Sequence, residues 1–308
     1  MGVGILRIGT RGSKLALAQT NHVAALIKTA QPQLEIEIVT VTTAGDEDHQ
    51  TELSKMGTVG LFTGKIEQQL LEDRIDIAVH SAKDLPSQLS PDFAIAAVPP
   101  REACEDAWIS ADGSGLRDIG PNKVIGTGSP RRRAQLLNIR RDLRVESIRG
   151  NVETRLRKLN DGECDALILA CAGLKRTGRE DSITQLLDKD IFVPAGGQGA
   201  LAIEVRADDV RSAELAASID HPDSHRCLNI ERQLLRELNA GCSSAVGANA
   251  RIEEGKVHLV AVALDVDGLT KLTATHTIER QDENHVLVDH VASRLIEQGA
   301  SHLIASYE

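Results

Sequence analysis

The sequence predicts an α/β protein: two similar α/β domains followed by a small α+β domain. Three observations point there. Across the first two thirds of the chain, short β-rich runs alternate with helical patterns, which implies crossover units and largely parallel sheets. RIGTRGSKLALAQ (residues 7–19) is echoed by VIGTGSPRRRAQL (residues 124–136), each reading as strand, Ile-Gly-Thr, a serine at a helix N-cap, then helix. Beyond His221 the alternation stops, and one helix, three strands and a closing helix follow.

In chain order, the first domain has strands at 5–10, 35–43, 76–81 and 93–98, with helices at 13–30 and 62–73 between them. Ser13 supplies an N-cap oxygen for the first helix. Pro99-Pro100 marks the crossing to a second domain. That domain has strands at 106–110, 124–127, 144–148 and 166–170, with helices near 130–138, 152–159 and 181–187. The Gly-rich PAGGQGA (residues 194–200) turns the chain back. A strand at 200–206 comes late enough to join the first sheet, so the first domain is discontinuous. The expected division is 1–99 plus 200–220, then 100–199, then 221–308. The last part holds a helix at 224–239, strands at 246–252, 257–266 and 272–279, and a helix at 285–299.

Composition narrows the function classes. The net charge is −10 and aromatics are only 2% of 308 residues, which disfavours both a phosphate-backbone footprint and base-stacking platforms. No apolar run approaches a membrane span, and the first residues carry no apolar secretory core. The five cysteines (Cys104, Cys164, Cys171, Cys227, Cys242) are odd in number and lack a Cys-x-x-Cys pair. Free thiols in a reducing cytoplasm are the expectation.

The chemistry starts with arginines. Residues 129–158 carry ten Arg or Lys against three Asp or Glu in an acidic chain. Ser129 and Pro130 suit the N-cap and first position of a helix. Arg131 and Arg132 then stand in the first turn, against the dipole, which suggests recruitment for an anion, with Arg133 next to them. A solvated basic face is the alternative, and it is the expected one for Arg140, Arg141, Arg157 and Lys158. Arg149 and Arg155 flank the next strand–helix junction. No phosphate-binding glycine motif is present, so several carboxylates suit these arginines better than a nucleotide. Asp84 follows a strand end, where ligands of open α/β sheets bind. An Asx-type turn is its bland reading. Cys242 lies in a loop just past Gly241, the expected left-handed helix stop, and is either a nucleophile or a packing thiol. His221 and His225, four apart near Cys227, lack a second ligand pair, so no metal is expected.

Taken together, RIGTRGSKLAL, TTAGD, GLFTGKIE, DIAVHSAKDLP, VIGTGSPRRRAQL, IRGNVETRLRKL, LILACAGLKR, PAGGQGALAIE and AGCSSAVGA resemble the porphobilinogen deaminase (hydroxymethylbilane synthase) family over nearly the whole chain. The resemblance implies two periplasmic-binding-protein-like α/β domains facing a cleft, plus a small α+β domain. It implies a dipyrromethane cofactor, held by a thioether to Cys242. Four porphobilinogen molecules would add head to tail with loss of ammonia, releasing linear hydroxymethylbilane. By the same resemblance Asp84 is the catalytic carboxylate, facing pyrrole nitrogens and the azafulvenium cation. Lys83, Asp84, Ser129, Arg131, Arg132 and Arg155 attend the cofactor. Arg11, Ser13, Arg149, Arg155, Arg176 and Gln198 attend the substrate. Asp46, Lys55, Val59 and Phe62 belong to the region of the active-site loop. Val59 stands where many members have lysine, Ala240-Gly241-Cys242 replaces Gly-Gly-Cys, and Ala245 replaces a proline. The family also suggests a monomer. A non-catalytic organic-anion binder and a nucleic-acid binder are the competing classes.

Overall fold

The computed structural model describes residues 4–41, 64–241 and 244–307. Contacts divide the chain into two units, residues 1–102 with 200–226 and residues 103–199 with 227–308.

The first unit is built on β1 (Ile5–Arg11), β2 (Glu35–Val41), β3 (Ile77–Ser81), β4 (Phe93–Ala97) and the late strand β10 (Leu201–Arg206), in the order β2-β1-β3-β10-β4. Helices α1 (Lys14–Ala30), α2 (Gly64–Leu71) and α6 (Val210–Ala217) belong to this unit. Strand β10 runs antiparallel to both neighbours, and the other strands run parallel to one another. The core collects Leu6, Ile8, Val23, Ile27, Ile77 and Ile203.

The second unit repeats this plan. Its strands β5 (Asp106–Ser110), β6 (Val124–Gly126), β7 (Arg144–Glu146), β8 (Ala166–Ala170) and β9 (Gln185–Leu186) lie in the order β7-β6-β8-β5-β9. Strand β5 is the reversed one. In each sheet the reversed strand is the one delivered by a crossing between units. Helices α3 (Pro130–Ile139), α4 (Val152–Asn160) and α5 (Cys171–Arg176) connect its strands. The Ile-Gly-Thr echo has a steric cause. A Cβ on Gly9 would strike the Ile75 side chain, and one on Gly126 would meet Leu167 at 2.8 Å.

A third, antiparallel sheet follows: β11 (Val246–Glu253), β12 (Lys256–Leu264) and β13 (Lys271–Glu279). One face of β12 (Val257, Leu259, Ala261, Ala263) packs on residues of α7 (Pro222–Glu237) and α8 (Asn284–Glu297). The other face (Val260, Val262, Leu264) packs with Ala134 of α3. The period-2 alternation therefore buries both faces. A short helix α9 (Ala300–Ala305) closes the chain.

Three expectations change. The helix at 181–187 is a 3-10 turn at Glu180–Ser182 followed by β9, because Gln185 and Leu186 pair with the edge of β5 and Leu187 is buried with Trp108. The left-handed stop after α7 is Asn239 (φ 50°), two residues before Gly241. The Ala240 N–H donates to the Leu235 carbonyl at 2.9 Å, as a Schellman end requires. Helices α5, α6 and α9 were not anticipated. Each has eight or fewer residues, too short for a clear apolar period.

Candidate functional site

In the first unit, the predicted residues gather at the carboxyl ends of β1 and β3, which are parallel neighbours. Arg11 is the last residue of β1, and Ser13 caps α1, its Oγ accepting the Ala16 N–H at 3.2 Å. Ser81 ends β3 and is tied to α1 by Gln19, whose Nε2 donates to the Ser81 Oγ at 2.9 Å. The chain then forms a 3-10 turn, Ala82–Asp84, and Leu85 turns extended ahead of Pro86. The Asp84 side chain is exposed and has no hydrogen-bond or ion-pair partner among the described residues. It is therefore not the acceptor of an Asx turn. Lys83 beside it is half-buried. Behind the turn, the His80 Nε2 lies 3.0 Å from the Glu204 Oε2, a buried pair that the sequence did not disclose.

In the second unit, Ser129 caps α3 as expected, its Oγ accepting the Arg132 N–H at 3.4 Å. The arginines behind it are not solvated. Arg131 is 4% and Arg132 6% exposed. Both meet Asp106, a wholly buried carboxylate at the start of β5 that sequence reasoning passed over. The Arg132 Nε donates to its Oδ1 at 2.8 Å, and an Arg131 Nη lies 2.8 Å from its Oδ2. Gln198, also wholly buried, donates to the same Oδ1 at 2.9 Å and to the Cys104 carbonyl at 2.7 Å. Burial alone would raise the Asp106 pKa. The two arginines and Gln198 outweigh it and hold the carboxyl well below its usual range.

Arg155 lies on α4, whose N-cap Asn151 accepts the Thr154 N–H at 2.9 Å. Its Nε donates to the Gly150 carbonyl at 2.7 Å, and no carboxylate among the described residues pairs with it. Burial, and then the charge of Arg132, push its pKa down to about 10. Two guanidiniums, Arg131 and Arg132, thus share one carboxylate, and Arg155 adds a third positive charge within reach of Arg132. The Arg131 Nε is buried with no acceptor among the described residues. This group carries more positive charge than the described residues neutralise there, so it is suited to an incoming anion. Arg149 is half-buried beside Gly150, and Arg176 donates to the Gly199 carbonyl at 2.7 Å.

Arg140 corrects the expectation of a solvated basic face. It donates to the carbonyls of Leu116, Arg117 and Ile119 and pairs with Asp142 at 2.7 Å. His221 and His225 place their Nδ1 atoms 2.9 and 2.8 Å from Ser224 and Asp220. Asp46, Lys55, Val59, Phe62 and Cys242 lie outside the described residues. No helix among the described residues is long and apolar enough to cross a membrane.

Comparison with known proteins gives a consistent match. The family model described as "Porphobilinogen deaminase, dipyromethane cofactor binding domain" matches residues 6–214, and that of the porphobilinogen deaminase C-terminal domain matches residues 225–297. Among similar curated proteins, the porphobilinogen deaminase of Syntrophomonas wolfei is 42% identical over 97% of each chain. That of Desulforudis audaxviator is 43% identical over 97% of this chain and 96% of its own. That of Shouchella clausii is 44% identical over 96% and 95%.

Proposed function

The chain belongs to the porphobilinogen deaminase family, and from that premise we propose that it joins four porphobilinogen molecules head to tail, releasing ammonia at each addition and hydroxymethylbilane at the end. The observation that carries this reading is the match of both family models across nearly the whole chain.

The family model names a dipyrromethane cofactor, and the residues present fit one. A group bearing acetates and propionates needs clustered cations, and Arg131, Arg132 and Arg155 exceed the single carboxylate beside them. Arg131 also keeps a buried Nε without an acceptor among the described residues. These three, with Ser129, Lys83 and Asp84, would hold the cofactor, and Cys242 would anchor it through sulfur. When bound, the cofactor supplies the pyrrole carbon that starts the chain.

Arg11, Ser13, Arg149 and Arg176 are assigned to the carboxylates of porphobilinogen, and Gln198, whose amide is taken by Asp106, the Cys104 carbonyl and Arg132, serves the Arg131–Arg132 group from behind. Asp84 is the catalytic residue. Ammonia leaves with the electron pair of its C–N bond, and the positive charge left on the substrate is stabilised by the exposed Asp84 carboxylate. The same group can hold the proton exchanged with ring nitrogens. Asp46, Lys55, Val59 and Phe62 are assigned to the active-site loop. The division into 1–99 with 200–220, 100–199 and 221–308 is supported by the separate core of the third sheet. An odd number of cysteines without a Cys-x-x-Cys pair supports a reducing cytoplasm, and the family resemblance supports a monomer.

The deciding experiment is the intact mass of the denatured protein, before and after exposure to porphobilinogen. A covalent excess of two pyrrole units, absent in Cys242→Ala, is expected. A bare mass under both conditions, with no Ehrlich-positive product, would overturn the reading.

A further inference from the structure

The two α/β sheets can be superposed by register, and the superposition isolates one difference. Gly9 pairs with Ala78, as Gly126 pairs with Leu167. Ser81 faces Leu201 across the reversed strand, and Ala170, which holds Ser81's place, faces Asp106. Ser13 and Ser129 are the matching N-caps. Arg131 and Arg132 therefore take the places of Leu15 and Ala16, and Asp106 takes the place of Leu201. The first sheet has three apolar residues at these places, Leu201 buried and Leu15 and Ala16 half-buried. The other has two buried guanidiniums and one buried carboxylate.

A buried ion pair is a poor way to stabilise a fold, since an apolar set of similar volume does as well or better. Here the apolar set exists in the same chain, on the same strand order. The carboxylate is thus not demanded by the fold. It accompanies the arginines, accepts the Arg132 Nε–H on Oδ1, has an Arg131 Nη at 2.8 Å from Oδ2 while that same nitrogen donates to the Val193 carbonyl, and is itself fixed by the Gln198 amide. Leu201 needs no such support.

We propose that Asp106 is a positioning residue for anion binding: it aims Arg131 and Arg132, with Gln198 setting its own orientation. This rests on the proposed function, in which that pair holds the carboxylates of the cofactor.

The test uses the full chain with Asp106→Asn and the triple variant Asp106→Leu/Arg131→Leu/Arg132→Ala, which installs the residues of the first sheet. Apo-protein is exposed to porphobilinogen well below its melting temperature, and covalent loading is followed by intact mass alongside thermal unfolding. Asp106→Asn should load at least about tenfold more slowly than the parent, since displaced binding groups lose rate steeply. The triple variant should melt within about 4 °C of the parent, yet not load. Parent-like loading of Asp106→Asn would overturn the proposal. So would a triple variant that melts far below the parent, because the carboxylate would then serve the fold. If Asp106→Asn does not fold, the melting of the triple variant decides alone. A parent that never gains mass would instead sink the cofactor reading, and this proposal with it.

Discussion

Asp76 and Asp165 make the same pair of contacts in two different sheets. The Asp76 Oδ2 accepts the Arg7 N–H at 2.7 Å, and the Asp165 Oδ2 accepts the Val124 N–H at 2.7 Å. In return, the Asp76 N–H donates to the Arg7 carbonyl, and that of Asp165 to the Val124 carbonyl. Each carboxylate also binds a cation on the neighbouring strand or just before it, Arg7 at 2.6 Å and Lys123 at 2.8 Å. The two differ in burial, Asp76 being buried and Asp165 partly open. Asp76→Ala should therefore destabilise more than Asp165→Ala, with about 1 kcal/mol expected for the lost backbone acceptor at Asp165. Urea unfolding of both variants checks the order. A larger loss at Asp165 would show that burial does not set the cost.

This second echo was invisible in the sequence for a physical reason. DIAVHSAKDL and DALILACAGL share their first aspartate and last leucine, but strands buried on both faces accept any apolar residue between. The Ile-Gly-Thr echo was readable because buried side chains, Ile75 at Gly9 and Leu167, Ile148 and Cys164 at Gly126, fill the space a Cβ would need. Long elements were legible for similar reasons. The predicted and observed bounds of β5 and β8 coincide, and α1 and α3 begin after the anticipated serine caps. The arginine cluster was readable as anion chemistry, but its internal partner was not. Asp106 follows Glu105 and lies 25 residues before Arg131 in sequence, and only the reversed insertion of β5 beside β8 brings it to α3.

Adjacent arginines give a contrast in stability. Arg140 serves three carbonyls and Asp142, whereas Arg141 is exposed. Arg140→Ala should cost about 1–3 kcal/mol, because buried acceptors lose their donor. Arg140→Lys should recover only part, since a single ammonium cannot reproduce the fork. Arg141→Ala should stay within about 0.5 kcal/mol of the parent. Denaturant midpoints at constant m-value measure all three. Equal effects at the two positions would contradict the assignment.

Arg155 gives a pH signature. Its folded pKa is held down to about 10, first by burial and then by Arg132. A cation with a depressed folded pKa opposes folding fully below that value, and the penalty fades as pH rises toward the unfolded pKa. A bound carboxylate acts oppositely, favouring the charged form. Anion binding should therefore be level through neutral pH and weaken above about 10. Arg155→Leu should leave the apo-protein at least as stable as the parent while cutting cofactor loading by at least about tenfold. Loading that stays constant well above pH 10, with the protein still folded, would remove Arg155 from the binding set.

Asp84 separates chemistry from folding most cleanly. It is exposed, accepts nothing from the described residues and sits in a turn shaped by its neighbours, with the Ala82 N–H donating to the Ala200 carbonyl at 3.0 Å. Substitutions at such a position change stability by about 0.5 kcal/mol or less. A preorganised carboxylate facing a developing cation, however, carries on the order of 3 kcal/mol or more of transition-state stabilisation. Asp84→Asn, which keeps shape and removes charge, should therefore melt like the parent and lose at least about a hundredfold in kcat. Its KM for porphobilinogen should change far less, because the substrate carboxylates are assigned to the arginines. Asp84→Glu should retain more turnover than Asp84→Asn, since it keeps the charge at an altered reach. If Asp84→Asn turned over within about threefold of the parent, the charge would be stabilised elsewhere, and the buried His80–Glu204 pair behind the same turn would become the group to examine.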